Sequence, residues 1–139
     1  MPRNTVYLEA QARTQGLLNI KWTLQAAGYA IGSSWHEGEV NTPSLAFQNH
    51  WNATGLEQLQ ICDSLVVICE KTDRAAPELA MVAGFALARG IRVFWIGPPL
   101  RSLSDFRAVQ QFNTAEDFRK QVLKQLYPRP ILIDEQLAA

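Results

Sequence analysis

The stretch ICDSLVVICEKTDRAAPELAMVAGFALARGIRVFWIG, residues 61–97, decides the fold of this chain. Residues 64–69 are a short apolar run rich in β-branched side chains, which is typical of a strand buried on both faces. Pro77 suits the first turn of a helix, and apolar residues then recur at helical spacing until Gly90, a typical residue just past a helix end. Residues 91–96 form a second apolar run. A crossover of this length predicts two parallel strands joined in a right-handed βαβ unit.

Strands and helices also alternate on both sides of this unit. We predict strands over residues 5–10 and 29–35, helices over residues 11–27 and 44–60, a long loop over residues 98–113 with a helical turn at 104–109, and a helix from Thr114 to about residue 127. Residues 131–133 are either a short edge strand or a tail that packs on a neighbour. The alternation predicts one domain over residues 1–139, a flavodoxin-like three-layer α/β sandwich. Its parallel sheet of four or five strands has the order 2-1-3-4 with an optional fifth.

The composition excludes several classes of protein. It is 47% hydrophobic and 19% charged, which is typical of a globular chain. The 13 basic and 13 acidic residues cancel, so no long-range field attracts nucleic-acid polymers or anionic membranes. The sequence contains no dinucleotide-binding, P-loop or serine-hydrolase motif. Neither a signal peptide nor an apolar run of transmembrane length is present, so we expect a cytoplasmic protein.

The cysteines, histidines and tryptophans have plain structural interpretations. Cys62 and Cys69 lie roughly 23 Å apart if the segment between them is extended, so we expect buried free thiols and no disulfide. Neither His36 nor His50 is near other residues at metal-ligand spacing, so the sequence predicts no metal site. Four tryptophans are many for this length, and Trp22 and Trp95 fit core positions.

Two acidic residues follow the predicted third strand. Ligands of open parallel sheets bind outside the carboxyl ends of the strands, and Asp73 lies in the loop that leaves that edge. Glu78 lies in the first turn of the next helix, where the helix dipole favours a carboxylate. Such a carboxylate can act as a nucleophile or as an electrostatic partner of a ligand. Acidic residues are common in first turns for structural reasons alone, and an ordinary loop aspartate is the alternative for Asp73.

The order of these residues resembles the nucleoside 2-deoxyribosyltransferase family and its N-glycosidase relatives. The resemblance is carried by Asp63-Ser-Leu-Val-Val, Asp73, Glu78-Leu-Ala, Gly84-Phe-Ala and Gly90-Ile-Arg-Val, and more loosely by Thr5-Val-Tyr-Leu-Glu-Ala and residues 28–35. It implies a catalyst that cleaves or exchanges the N-glycosidic bond of a nucleoside or nucleotide without a cofactor. It further implies that Glu78 is the nucleophile that attacks the anomeric carbon and that Asp73 orients the base or sugar. Family members form dimers or larger assemblies, so a homo-oligomer is expected, with Phe47 and Trp51 as candidate interface residues.

Four further residues are candidate contacts to the nucleoside or nucleotide. Tyr7 lies on the first strand and points either into the site or into the core. Gln11 begins the loop after that strand. Trp35 ends the second strand and His36 follows it, both at the predicted ligand edge, where a tryptophan can stack on a base. For Trp35, a position at the rim of the core is the alternative.

A second function is compatible with the same fold. The family commonly has an aspartate at the position of Gly55, and the loop before Glu78 reads Arg74-Ala-Ala-Pro77 where glycine is usual. These departures favour a module that binds a nucleotide or a nucleotide-derived signal without turnover. A flavodoxin-like protein with a purely interaction role is the third hypothesis.

Overall fold

The computed structural model describes residues 5–10, 14–37, 53–69, 76–99 and 106–124. The strands are β1 (Thr5–Ala10), β2 (Ala30–Ile31), β3 (Ser64–Ile68), β4 (Arg92–Ile96) and β5 (Val109–Phe112). The helices are α1 (Gln15–Ala26), α2 (Ala53–Gln60), α3 (Ala76–Ala88) and α4 (Ala115–Lys124), and Trp35–Glu37 forms a 3₁₀ turn. Asp73, Gln11, His50, Phe47 and Trp51, and the predicted strand at residues 131–133, lie outside the described residues.

The described strands form one parallel sheet in the order β2-β1-β3-β4-β5. This confirms the flavodoxin-like three-layer sandwich and its predicted order, and β5 supplies the optional fifth strand. The chain moves outward from β1 to β2 and then returns to pair β3 on the other side of β1. The strand order therefore reverses between β1 and β3.

Each face of the sheet carries its own apolar cluster, because successive strand residues point to opposite faces. The α1/α4 face is formed by buried residues of α1, α4 and the strands: Val6, Leu8, Ala10, Leu17, Ile20, Leu24, Tyr29, Val66, Ile68, Phe94, Ile96, Phe112, Phe118 and Val122. The α2/α3 face is formed by Tyr7, Leu59, Cys62, Leu65, Val67, Cys69, Leu79, Val82, Ala83, Ala86, Ile91, Val93 and Trp95. Trp95 is fully buried, as predicted.

Helix α1 buries Leu17, Ile20 and Leu24 of its predicted apolar stripe, whereas the fourth member, Ala27, is exposed. It ends at the C-cap Ala27, and Gly28 follows with a φ of 96° that a residue without a β-carbon adopts readily. The prediction that Trp22 is a core residue is wrong, because its side chain is 53% exposed. Trp22 follows Ile20 by two positions, which is about 200° around a helix, so the two side chains point in opposite directions.

Strand β2 is much shorter than the predicted strand over residues 29–35. Only Ala30 and Ile31 pair with β1, and the ladder ends where the Gly32 N–H donates to the Val6 carbonyl at 2.8 Å. The chain then turns, so Trp35 and His36 lie in the 3₁₀ turn. The prediction failed here because an edge strand is paired on one side only and needs no regular apolar pattern. The end of the strand therefore has no clear signal in the sequence.

The predicted loop over residues 98–113 contains strand β5, whose pairing with β4 begins at Val109. Within the helical turn predicted at 104–109, the Val109 N–H donates to the Phe106 carbonyl at 3.0 Å and closes a turn, and residues 104 and 105 lie outside the described residues. Gln110 and Gln111 gave this edge strand the appearance of a loop. The structure also shows both cysteines as free and buried thiols, as expected. Within the described ranges, every helix is too short or too polar to cross a membrane.

Candidate functional site

The carboxyl ends of four strands lie side by side along one edge of the sheet. Ala10, Ile68, Ile96 and Phe112 pair in register across β1, β3, β4 and β5. All four belong to the α1/α4 face. In parallel sheets, this edge and the place where the strand order reverses are where ligands bind. The reversal point here lies between Ala10 and Ile68.

A cavity of about 660 Å³ opens at this edge on the α1/α4 face. Small-molecule sites in proteins commonly have volumes of roughly 300–1,000 Å³ and largely apolar walls. Its polar side chains are Asn113 and Thr114 at the start of α4. The lining residues are Gly16, Ile20, Ile68, Cys69, Ile96, Gly97, Pro98, Asn113, Thr114 and Ala115.

Two helices direct their N-terminal ends at the cavity. Gly16 is the second residue of α1, and Ala115 is the first residue of α4. The Thr14 and Thr114 hydroxyls cap these helices by accepting hydrogen bonds from the N–H groups of Leu17 (3.2 Å) and Asp117 (3.1 Å). First-turn N–H groups have no partner within a helix, and the helix dipole makes such ends favourable for negative charge.

Gly97 forms part of the cavity wall at a position where no larger residue fits. Its φ is 123°, and a β-carbon at this position would lie 1.8 Å from the carbonyl oxygen of Cys69. The Gly97 N–H donates to the Phe112 carbonyl, and the Cys69 N–H donates to the Ile96 carbonyl, both at 2.8 Å. Main-chain atoms of β3 and β4 therefore approach each other closely at the cavity, and the wall is backbone at that point.

Glu78 lies in the first turn of α3, as predicted, and its side chain is exposed. Helix α3 packs on the α2/α3 face, whereas the cavity opens on the other face, and Glu78 is not among the lining residues. Glu78 is therefore not part of the wall of this cavity, and its role as a nucleophile stays a prediction. Asp73, its predicted partner, lies outside the described residues, as does Gln11.

Trp35 and His36 hold the outer edge of β1 beyond the end of β2. The Trp35 indole N–H donates to the Leu8 carbonyl at 2.8 Å, and the Leu8 N–H donates to the Ser33 hydroxyl at 3.0 Å. The Ser33 oxygen also lies 2.8 Å from Nε2 of His36, and both residues are fully buried. The rings of Trp35 and His36 meet edge to face, with their centroids 5.4 Å apart. Their predicted contact with a ligand stays a prediction, since the structure shows them in a structural role.

The same turn is tied to α2. Gln58 accepts a hydrogen bond from the Ser34 N–H at 3.1 Å and donates one to the Ser34 hydroxyl at 2.8 Å. These contacts fix the turn against the helix layer, and so fix the side chains that bind Leu8. Sequence reasoning missed Ser33 because a serine after a short strand carries no signal of its own.

Tyr7 and Cys62 lie together on the α2/α3 face. Burial, followed by the nearby charges of Glu9 and Cys62, raises the pKa of the Tyr7 phenol far above its usual range. Burial and Asp63 raise the pKa of the Cys62 thiol to about 12. The Cys62 thiol also donates a hydrogen bond to the Gln58 carbonyl at 3.1 Å. Tyr7 therefore points into the core, which is one of the two positions predicted for it. Neither the Tyr7 phenol nor the Cys62 thiol supplies an anion at neutral pH.

Glu9 is the residue that sequence reasoning missed altogether. It is the fifth residue of β1 and pairs with Val67 of β3, and its side chain is only 1% exposed. Because Tyr7 belongs to the α2/α3 face and strand residues alternate, Glu9 faces the same way. The available signal was an acidic residue inside the otherwise apolar run of the first strand.

Among the described residues, no group of three or more His, Cys, Asp or Glu side chains is arranged to hold a metal ion. No protein-family model matches the chain, and no curated protein matches it as a relative.

Proposed function

We propose that this chain binds a nucleoside or nucleotide at the carboxyl edge of its sheet. The observation that carries the proposal is the cavity of about 660 Å³ at the ends of β3 and β4, next to the point where the strand order reverses. Its volume suits a ligand of this size, and its position is the one at which open α/β sheets bind ligands.

The walls of the cavity fit the two parts of a nucleotide. Ile20, Ile68 and Ile96 provide apolar surface for a base. The N-terminal end of α1, whose first turn carries no acidic residue, provides backbone N–H groups and a positive dipole end, which favour a phosphate or another acceptor-rich group. The side chain of Asn113 offers both a donor and an acceptor for the polar edge of a base.

A cavity-filling substitution tests this assignment. Gly16→Phe places a ring at the wall of the cavity, in an exposed first turn that tolerates a side chain. Calorimetric titration with the common ribonucleosides, deoxynucleosides and their 5′-monophosphates should give binding by the unmodified protein and at least tenfold weaker binding by this variant.

Gly84→Phe is the matched control, because Gly84 is exposed on α3 and no atom lies within 4 Å of an added β-carbon. It should bind as tightly as the unmodified protein. Absence of binding across the panel would exclude the proposed function. Equal affinity in the Gly16→Phe protein would exclude this cavity as the site.

Cleavage or exchange of the N-glycosidic bond is a second candidate, favoured by the exposed carboxylate of Glu78 in the first turn of α3. In this reaction a Glu78 oxygen bonds to the anomeric carbon while the bond to the base nitrogen breaks, and the base leaves as it gains a proton. Water or a second base then displaces the glutamate from the sugar and releases a proton. This candidate requires the sugar to reach the α3 side of the sheet edge.

Base release and base exchange distinguish the two candidates. Incubation with deoxynucleosides and a different free base should give products that Glu78→Gln abolishes. Glu57→Gln, which replaces an exposed glutamate of α2, should leave these products unchanged. Turnover that survives Glu78→Gln would remove Glu78 as the nucleophile. Binding without any turnover would leave the chain as a binding module.

A further inference from the structure

We propose that the outer side of helix α3 is a self-association surface, on which a second copy of this chain packs its own α3 in the antiparallel direction. The inference goes beyond the proposed function, because α3 packs on the α2/α3 face of the sheet and the cavity opens on the other face. It is carried by the composition of the exposed side of the helix and by the arrangement of its two charges.

Helix α3 is apolar on both of its sides. Its inner side packs on the sheet through residues that are almost completely buried: Leu79, Val82, Ala83 and Ala86. Met81, Gly84 and Ala88 are exposed on the outer side, where Met81 is 57% accessible to solvent. A helix that is apolar all round is typically buried. The outer side of α3 therefore has the character of a covered surface.

The outer side also carries one acidic and one basic residue, at opposite ends of the helix. Glu78 lies in the first turn, Arg89 directly follows Ala88, the last residue of α3, and both charged side chains are exposed. Arg89 follows Glu78 by 11 positions, which is about 20° more than three full turns and roughly 16 Å along the helix axis. The two charges therefore share a side of the helix but are too far apart to pair within one copy. Neither forms an ion pair with another described residue.

This arrangement is complementary to itself. In a two-fold dimer, residue i of one copy meets residue j of the other, and the same contact occurs a second time in reverse. Antiparallel pairing of two α3 helices thus places Glu78 of each copy beside the partner's Arg89. The midpoint between these residues falls between positions 83 and 84, so Met81 lies near the partner's Phe85. Phe85 is partly buried, and the Arg89 guanidinium lies 5.2 Å from the centre of its ring.

The charges favour a second copy of this chain as the occupant. The acid that Arg89 needs and the base that Glu78 needs are both supplied, at the right spacing, by the same helix of another copy. The whole chain has 13 basic and 13 acidic residues, so two copies do not repel each other at long range. A single pair of helices makes a small interface, so we expect a reversible dimer that dissociates on dilution. The dimer would engage Glu78 and compete with its use as a nucleophile, whereas the cavity on the other face stays open.

A charge swap across the dimer tests the pairing. Sedimentation velocity at low salt, over about a hundredfold range of protein concentration, should show the unmodified protein passing from monomer to dimer. Glu78→Arg alone, or Arg89→Glu alone, sets like charges against each other twice and should weaken the dimer about tenfold or more. The double variant restores both pairs, so its dissociation constant should return to within about threefold of the original value.

A second pair of variants tests the apolar centre of the surface. Met81→Lys places a charge where apolar side chains meet, so it should weaken the dimer about tenfold or more. Leu123→Lys is the matched control, because Leu123 is an 81% exposed apolar residue of α4, on the other face of the sheet, and this variant should dimerise like the unmodified protein. Circular dichroism checks that every variant is folded. If a charge variant does not fold, the comparison of Met81→Lys with Leu123→Lys decides.

Three results would overturn the inference. The unmodified protein would stay monomeric at every concentration, or a dimer would form that both single charge reversals leave intact and that therefore uses another surface. In the third, the double variant would stay as weak as the single ones, so that Glu78 and Arg89 do not face each other. Nucleoside binding enters none of these measurements, so the proposed function and this inference can fail independently of each other.

Discussion

Gly97 shows how one residue fixes the meeting of two strands at the cavity. Replacement by alanine would place a β-carbon 1.8 Å from the Cys69 carbonyl oxygen at a φ of 123°. We expect Gly97→Ala to lower the free energy of unfolding by more than about 2 kcal/mol, measured by urea denaturation. Gly84→Ala, in the exposed middle of α3, should instead raise it by up to about 1 kcal/mol. Similar effects at both glycines would refute the close contact.

The adjacent residues Ser33 and Ser34 should differ in how much each contributes to the stability of the protein. Ser33 is buried and accepts the hydrogen bond of the Leu8 N–H, while Ser34 is exposed. Ser33→Ala leaves that N–H without its acceptor, so it should reduce the free energy of unfolding by about 1–3 kcal/mol. Ser34→Ala should reduce it by about 0.5 kcal/mol or less, because water replaces the lost contact. Equal losses in thermal or urea unfolding would show that the Ser33 bond contributes nothing particular.

At the scale of elements, helix α4 depends on its cap. The Thr114 hydroxyl accepts from the Asp117 N–H, and Glu116 and Asp117 add favourable charge in the first turn. Thr114→Ala should therefore destabilise the protein by about 1 kcal/mol in urea denaturation, and Thr114→Ser should retain most of the stability. A loss as large in the serine variant would mean that the methyl group, not the hydroxyl, matters.

The elements that the sequence predicts well are the two strands buried on both faces and the helix that covers them. β3, β4 and α3 are confirmed, because a central parallel strand needs an uninterrupted apolar run and the helix covering it needs an apolar stripe. The edges were predicted poorly. β2 is shorter than predicted and β5 lies within a predicted loop, since only one side of an edge strand is paired and the residues of β5 include Gln110 and Gln111.

At the scale of the whole molecule, the buried Cys62 thiol and Tyr7 phenol make the free energy of unfolding depend on pH in the alkaline range. The unfolded chain releases the Cys62 proton above pH 9, its ordinary pKa, whereas the folded protein retains it to about pH 12. The unfolded state then binds fewer protons, so the free energy of unfolding falls as pH rises through this window. The slope for one group is about 1.4 kcal/mol per pH unit. Tyr7 adds the same effect above pH 10.

Urea denaturation at several values between pH 8 and 11 measures this slope. Cys62→Ala should flatten it, even though the variant is less stable at every pH. Tyr7→Phe should flatten only the part above pH 10. An unchanged slope in the Cys62→Ala protein would show that the thiol does not retain its proton.

The candidate site was predicted only in outline. The sheet edge follows from the alternation of strands and helices, and Glu78 is indeed exposed in the first turn of its helix. The cavity could not be predicted, because it is bounded by residues far apart in sequence, such as Gly16, Gly97 and Thr114. Glu9 was overlooked because one acidic residue in an apolar run is a weak signal, which an exposed position near the end of the strand would also give.

The two-residue length of β2 has a consequence for how copies of this protein behave at high concentration. A long open border of a sheet recruits strands from other molecules and begins aggregation. Beyond Val6, both backbone groups of Leu8 are already occupied by the side chains of Ser33 and Trp35. The border on this side therefore offers an incoming strand little to bind, and the turn that anchors β1 also protects the molecule from amyloid-like stacking.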